Sequence, residues 1–364
     1  MKTKWIEQKD LQKRLIRNEA FWRGELTQSP LMWVTVPEAR KNTPPPNPAT
    51  NEEMWTDVKY YVEKTEYDLS HTYFAGDSLP VCHPWLGPDQ FSAWLGASMM
   101  IKPHEFTSWV TPFITDLEKY KYFKIDKENR WWKLYLDLLK ACAEAGKDKW
   151  ITAYPDLHSG IDALCAMRGP ENLMLDIITS PDAIKQAMFQ MTDLWKYVVD
   201  TVADIIVPYG QGSSNWTLGW SSKKFLCVGQ NDFSCLIGPD MFTHFCLHDN
   251  IECTQYVDYS IYHLDGAEAI RHLPTILGLK KLTTVQWIQG AGNPVPSKWL
   301  DLLQQIQKGG KSVQLWYDLS ITSEIDMIEE VKILCKNLDK TRLFICAVVD
   351  TVEMADNIIK TSNQ

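Results

Sequence analysis

The chain contains no run of eighteen or more apolar residues, so no segment is suited to cross a bilayer as a helix. Met1-Lys2-Thr3-Lys4-Trp5 leads into a charged helical stretch and not into the apolar core of a signal peptide. A soluble, cytoplasmic protein with no membrane partner is expected. Basic excess is missing too: 37 Lys and Arg stand against 46 Asp and Glu, for a net charge of -9. A binder of phosphate backbones needs a basic stripe, so nucleic acid is not an expected partner. No Cys-x-x-Cys pair occurs, and the nine cysteines are scattered and odd in number, which fits reduced, buried thiols better than a disulfide framework. The G-x-G-x-x-G fingerprint and the Walker A loop are absent, which disfavours a nucleotide-binding open sheet. Without a G-x-S-x-G elbow or an H-E-x-x-H helix, the hydrolase and zincin readings weaken as well.

What remains is a pattern of punctuated apolar runs. Residues 4–26 read as an amphipathic helix, and Leu31-Met32-Trp33-Val34-Thr35-Val36 reads as a strand stopped by Pro37. Asn42-Thr43-Pro44-Pro45-Pro46-Asn47-Pro48 is too proline-rich for helix or central strand. From about Tyr73 onward, short apolar runs ending in Gly, Pro or polar residues alternate with segments of helical period, as in a βα series. Eight strands are predicted, at 78–83, 150–155, 212–218, 224–231, 260–264, 283–288, 312–318 and 343–349. Helices are predicted at 129–145, 181–206, 239–256, 297–308, 323–337 and 351–360. Eight such units favour a (β/α)8 TIM barrel at 73–364, with residues 1–72 as an N-terminal helical and loop extension packing on it.

In such a barrel the chemistry gathers at the C-terminal strand ends. Tyr262-His263-Leu264-Asp265-Gly266 places His263 and Asp265 on one face of a strand, because side chains alternate. The pair suits a metal such as Zn2+ or proton transfer, and the same spacing also serves a hydrogen bond that merely ties strand to loop. A metal would need a third ligand from another strand, for which Cys346 is the soft candidate. Asp156 and His158 repeat the alternation, and Asp232 follows an apolar strand, where burial without a partner is costly. Arg168 could clamp a carboxylate or phosphate, or pair with Asp162. Trp216, Trp220, Trp287 and Trp316 could wall a ligand cavity or simply fill the core.

As an ordered set, several of these segments resemble the uroporphyrinogen decarboxylase-like superfamily of barrels, which includes methyltransferases that serve corrinoid proteins. The resemblance rests on Phe74-Ala75-Gly76-Asp77-Ser78-Leu79-Pro80 with Leu86-Gly87-Pro88, on Asp156-Leu157-His158-Ser159-Gly160-Ile161-Asp162 with Arg168-Gly169, and on Asp232-Phe233-Ser234. It continues in the His263 segment and in Gln286-Trp287-Ile288-Gln289-Gly290-Ala291-Gly292. The Arg-Gln-Ala-Gly-Arg run by which true uroporphyrinogen decarboxylases hold carboxylates is missing, which disfavours tetrapyrrole decarboxylation. Zinc methyltransferases of the superfamily carry His-x-Cys on this strand and a second Cys near the barrel's end, whereas Asp265 stands here in place of the middle thiolate.

The resemblance therefore implies a methyltransferase. It would move a methyl group from a small methoxy-type donor to a corrinoid carried by a separate protein. A metal, Zn2+ first, would sit at His263, Asp265 and Cys346. Catalysis would fall to His263, Asp265 and Asp232. Substrate contacts would come from Asp156, His158, Arg168, Trp216, Gln286, Trp287 and Trp316. The alternatives are a metal-free decarboxylase or lyase of a small acid, with Arg168 as the carboxylate clamp, and a non-catalytic small-molecule binding barrel.

Overall fold

A computed structural model describes residues 1–37, 43–318 and 326–364. In chain order its strands are β1 (Leu31–Val36), β2 (Tyr73–Gly76), β3 (Val81–Cys82), β4 (Ser98–Lys102), β5 (Thr107–Thr111), β6 (Ile151–Thr152), β7 (Phe225–Gly229), β8 (Tyr259–Asp265), β9 (Thr284–Ile288), β10 (Ser312–Asp318) and β11 (Leu343–Val348). Seven form one sheet in the order β2-β1-β11-β10-β9-β8-β7, parallel throughout except where β2 runs against β1. β3 and β6 make a short parallel pair, and β4 and β5 make an antiparallel hairpin. The protein is an α/β fold with a mostly parallel sheet. Parallel strands covered on both faces read as nearly unbroken apolar runs, which is why β7 to β11 follow the predicted segments closely.

The two faces of the sheet bury different cores. Met32, Val34, Leu264, Val285, Trp287 and Leu315 pack under the helical layer. Leu31, Trp33, Phe225, Ile261 and Phe344, mostly from the N-terminal halves of their strands, meet Leu11, Leu15, Phe21 and Trp22 of the helix Gln8–Arg23. That helix is held by an ion pair from Arg17 to Asp77 at 2.7 Å and by the Trp22 indole, which donates to the Trp220 carbonyl at 2.7 Å. With the floor filled by apolar groups, the second face is left to polar side chains toward the C-terminal strand ends. Register sets His263 beside Gln286, and Gln286 beside Gln314.

Several predicted segments differ. Residues 212–218 form no strand: Gly212, Leu218 and Gly219 adopt positive φ, and only Ser213 pairs, in a single antiparallel bridge with Ser221. Residues 78–83 and 150–155 shorten to β3 and β6, since Pro80, Pro84 and Pro155 lack the N–H that a ladder needs. Leu31–Val36, expected in the N-terminal extension, is an interior strand of the sheet, between β2 and β11. The helix predicted at 323–337 is observed as Met327–Asn337, capped by Asp326, and its expected first residues fall outside the described ones. Among the described residues no helix is long and apolar enough to cross a membrane.

Candidate functional site

The site is assembled from strand ends and the loops that follow β6 and β7. After β7, Asn231 takes a left-handed conformation (φ 52), which Asn tolerates. Its amide donates to Asn250 Oδ1 at 3.1 Å and to the Tyr262 hydroxyl at 3.2 Å. The turn so anchored presents Asp232 to solvent at the start of a 3-10 turn. The next backbone N–H, of Phe233, donates to Asp162 Oδ1 at 2.8 Å and ties this loop to the first turn of the helix Gly160–Arg168. Gly160, at φ +63, lets that helix start against Asp249, whose Oδ2 would lie 3.0 Å from a Cβ there.

His158 lies between these pieces. Its Nε2 is 3.2 Å from Asp232 Oδ2 and 3.5 Å from Asp162 Oδ2, and its Nδ1 is 3.8 Å from Asp89 Oδ1. Burial alone would lower the imidazole pKa, but Asp162, Asp232 and Asp89 together hold it well above its ordinary value. In return Asp232, despite its desolvation, is kept below the usual carboxylate range by His158 and His263. Burial pushes Asp162 up to about 6 against the pull of His158. It pushes Asp156 up to about 6 as well, against His158 and the Gln230 amide, which donates to Asp156 Oδ1 at 2.9 Å.

On β8, His263 Nδ1 faces Gln286 Oε1 at 2.6 Å, a bond between register partners of adjacent strands. A carbonyl oxygen only accepts, so Nδ1 carries the proton and Nε2 is left facing Asp265 Oδ2, 3.9 Å away. The Trp216 ring stands edge-on to His263 with centroids 5.0 Å apart. Burial raises the Asp265 pKa in spite of His263. One ligand atom from each of Asp232, His263 and Asp265 lies within 4.8 Å of the others, and the same holds for His158, Asp162 and Asp232. Asp232 belongs to both groups.

The fold has a known counterpart. A methyltransferase from Methanosarcina mazei matches with a TM-score of 0.58 over 96% of this chain and 98% of that one, at 15% sequence identity. At that identity the likeness is one of fold. No family model matches the chain, and no curated protein matches it in sequence.

Asp156, His158, Trp216, Asp232, His263, Asp265 and Gln286 thus come together, and the other expected residues do not. Cys346 is buried, with Gln314 Nε2 3.6 Å from its sulfur, and among the described residues it joins no group of potential ligands. The place expected for its thiol beside His263 and Asp265 is taken by Asp232. Trp287 points the other way, into the helical layer against Trp299 at 5.1 Å, because it alternates with Gln286. Trp316 is on the site's face of the sheet, partly buried over the second core. Trp220 belongs to that core as well.

Arg168 does not pair with Asp162. Its Nε and Nη2 grip Asp176 at 2.7 and 3.2 Å, and Nη1 donates to the carbonyls of Ile114 and Thr115. Arg168→Ala should cost about 3 kcal/mol of stability, the scale for breaking a mostly buried pair. A lowered urea midpoint with unchanged ligand affinity is the expected result. Asp89 and Asp162 were missed as site residues. Asp162 had a local signal, four residues after His158 at a helix start, whereas Asp89 is brought in by tertiary contact alone.

Proposed function

We propose that this chain is a methyltransferase of the uroporphyrinogen decarboxylase-like superfamily, acting at the mouth of a closed eight-unit barrel. The barrel reading is supported by bonds that run from one edge of the sheet to the other. Asp77 N–H donates to the Met32 carbonyl, Ala153 N–H to Cys82, Tyr154 N–H to Ser214, and Phe225 N–H to the Ser213 hydroxyl.

The observation that carries the reaction is the convergence of Asp232, His263 and Asp265 within 4.8 Å on a shared methyltransferase fold. One imidazole and two carboxylates, with the imidazole's other nitrogen already fixed by Gln286, fit a divalent cation such as Zn2+. Lacking thiolate, the set is harder than the His, Asp and Cys combination first expected, and it favours an oxygen-bearing ligand. When bound, the cation supplies Lewis acidity toward the donor's ether oxygen. Gln286 orients His263, His158 keeps Asp232 ionised, and Trp216 walls the position in front of His263. The charges acting most strongly on Asp156, Asp162, Asp232 and Asp265 are histidines and other carboxylates, not Lys or Arg. A neutral methoxy compound is accepted by such a mouth, and an anion is repelled. The decarboxylase alternative loses its clamp, because the Arg168 guanidinium is already engaged.

The acceptor in this reading is a Co(I) corrinoid carried by a separate protein. Its electron pair forms the new bond to the methyl carbon as the C–O bond breaks, and the leaving oxygen keeps the old pair and takes a proton from water. Turnover of methoxylated substrates with cob(I)alamin should disappear on chelation and return with Zn2+. His263→Ala should lower it by about 100-fold or more. Metal-free protein with undiminished turnover, or a fully active His263→Ala variant, would overturn the metal-assisted reading.

A further inference from the structure

We propose a second divalent-cation site at His158, Asp162 and Asp232, adjoining the first and sharing Asp232 with it. This rests on the metal reading of Asp232, His263 and Asp265, and it carries that reading from one cation to a two-cation centre with a carboxylate between them.

The geometry of the two groups is alike. In each, a histidine turns Nε2 toward a carboxylate pair: His158 toward Asp162 and Asp232, His263 toward Asp265, with Asp232 in reach of both groups. The other nitrogen of His263 is held by Gln286 Oε1 at 2.6 Å, whereas that of His158 lies 3.8 Å from Asp89 Oδ1, beyond hydrogen-bond distance. Partners behind the ligands are how metal-binding imidazoles are oriented. Asp162 is held in the same way. Its Oδ1 accepts from the Phe233 backbone N–H at 2.8 Å, and its Oδ2 faces His158.

Charge points in the same direction. Asp89, Asp156, Asp162, Asp232 and Asp265 surround two imidazoles, with no Lys or Arg ion-paired to any of the five among the described residues. One dication leaves this mouth strongly negative; two bring it near neutrality. The route in is open, since the Asp232 side chain is 45% exposed and that of Asp265 40%. An imidazole with two carboxylates selects a cation of intermediate hardness, Mn2+ or Zn2+. A second cation held there would add Lewis acidity on the side of the leaving ether oxygen.

The test is equilibrium dialysis of the whole chain against Mn2+, with elemental analysis and electron paramagnetic resonance of the loaded protein. About two Mn2+ per chain with a spin-coupled spectrum are expected. His158→Ala, and independently Asp162→Asn, which preserves side-chain volume, should each leave one uncoupled Mn2+. His263→Ala should remove the other. One uncoupled Mn2+ in the unaltered chain, indifferent to Asp162→Asn, overturns the second site and leaves the first standing. No bound Mn2+ or Zn2+ at all overturns both.

Discussion

Asp232→Asn should be the most damaging single substitution in the protein, lowering the proposed methyl transfer by about 100-fold or more, the upper range for losses around a metal site. Asp232 is the residue common to both groups of potential ligands. Asn preserves the volume and one carbonyl oxygen, so the anchored turn at Asn231 and the Phe233 bond to Asp162 should survive. What disappears is the negative charge that faces His158 at 3.2 Å and acts on His263. The loss should appear in metal content as well as in turnover, with unchanged far-UV circular dichroism. A variant that keeps its cation and works within about 2-fold of the parent would remove Asp232 from the mechanism.

Asp156→Asn should raise stability, and with a pH signature. Asp156 is 5% exposed, and its pKa is pushed from 3.8 up to about 6. A raised carboxyl pKa means that between those two values the folded state holds a proton the unfolded chain has lost, so stability falls as pH rises through this window. Above it the folded protein bears the full cost of the buried charge, roughly 3 kcal/mol for a shift of about two units. Asn still accepts from the Gln230 amide and carries no charge. The variant should therefore be more stable than the parent by roughly that amount at pH 8, and about equal to it below pH 4. Urea denaturation of metal-free protein at both pH values measures the difference. An equal loss of stability at both would mean that the Asp156 carboxylate contributes packing that Asn cannot replace. The gain should come with weaker cation binding, since Asp156 adds to the negative field of the mouth.

Much of the sheet was legible because its physics is local. β7 to β11 are buried on both faces, so each is a compact apolar run closed by Gly or a polar residue. The segment 212–218 is mostly small and polar apart from Trp216 and Leu218, and the positive φ of Gly212 and Leu218 folds it back on itself. β1 was recognisable as a strand; its place beside β11 was not, because pairing with the far end of the chain leaves no mark in either segment.

The site divides along the same line. Alternation along β8 by itself determined that His263 and Asp265 share a face, and alternation along β9 would also have separated Gln286 from Trp287. Only the tertiary structure decided what meets His263. It brings Asp232 from the loop after β7 in place of Cys346, which sits in the buried layer below and has Gln314 for a neighbour. It also spends Arg168 on Asp176 and gathers Asp89, Asp162 and Asp232 around His158. Side-chain direction follows from the two-residue period of a strand and is written in neighbouring letters. Which side chains converge depends on strand register, on loop path and on the cost of burying charge, and these are settled between residues far apart in the chain.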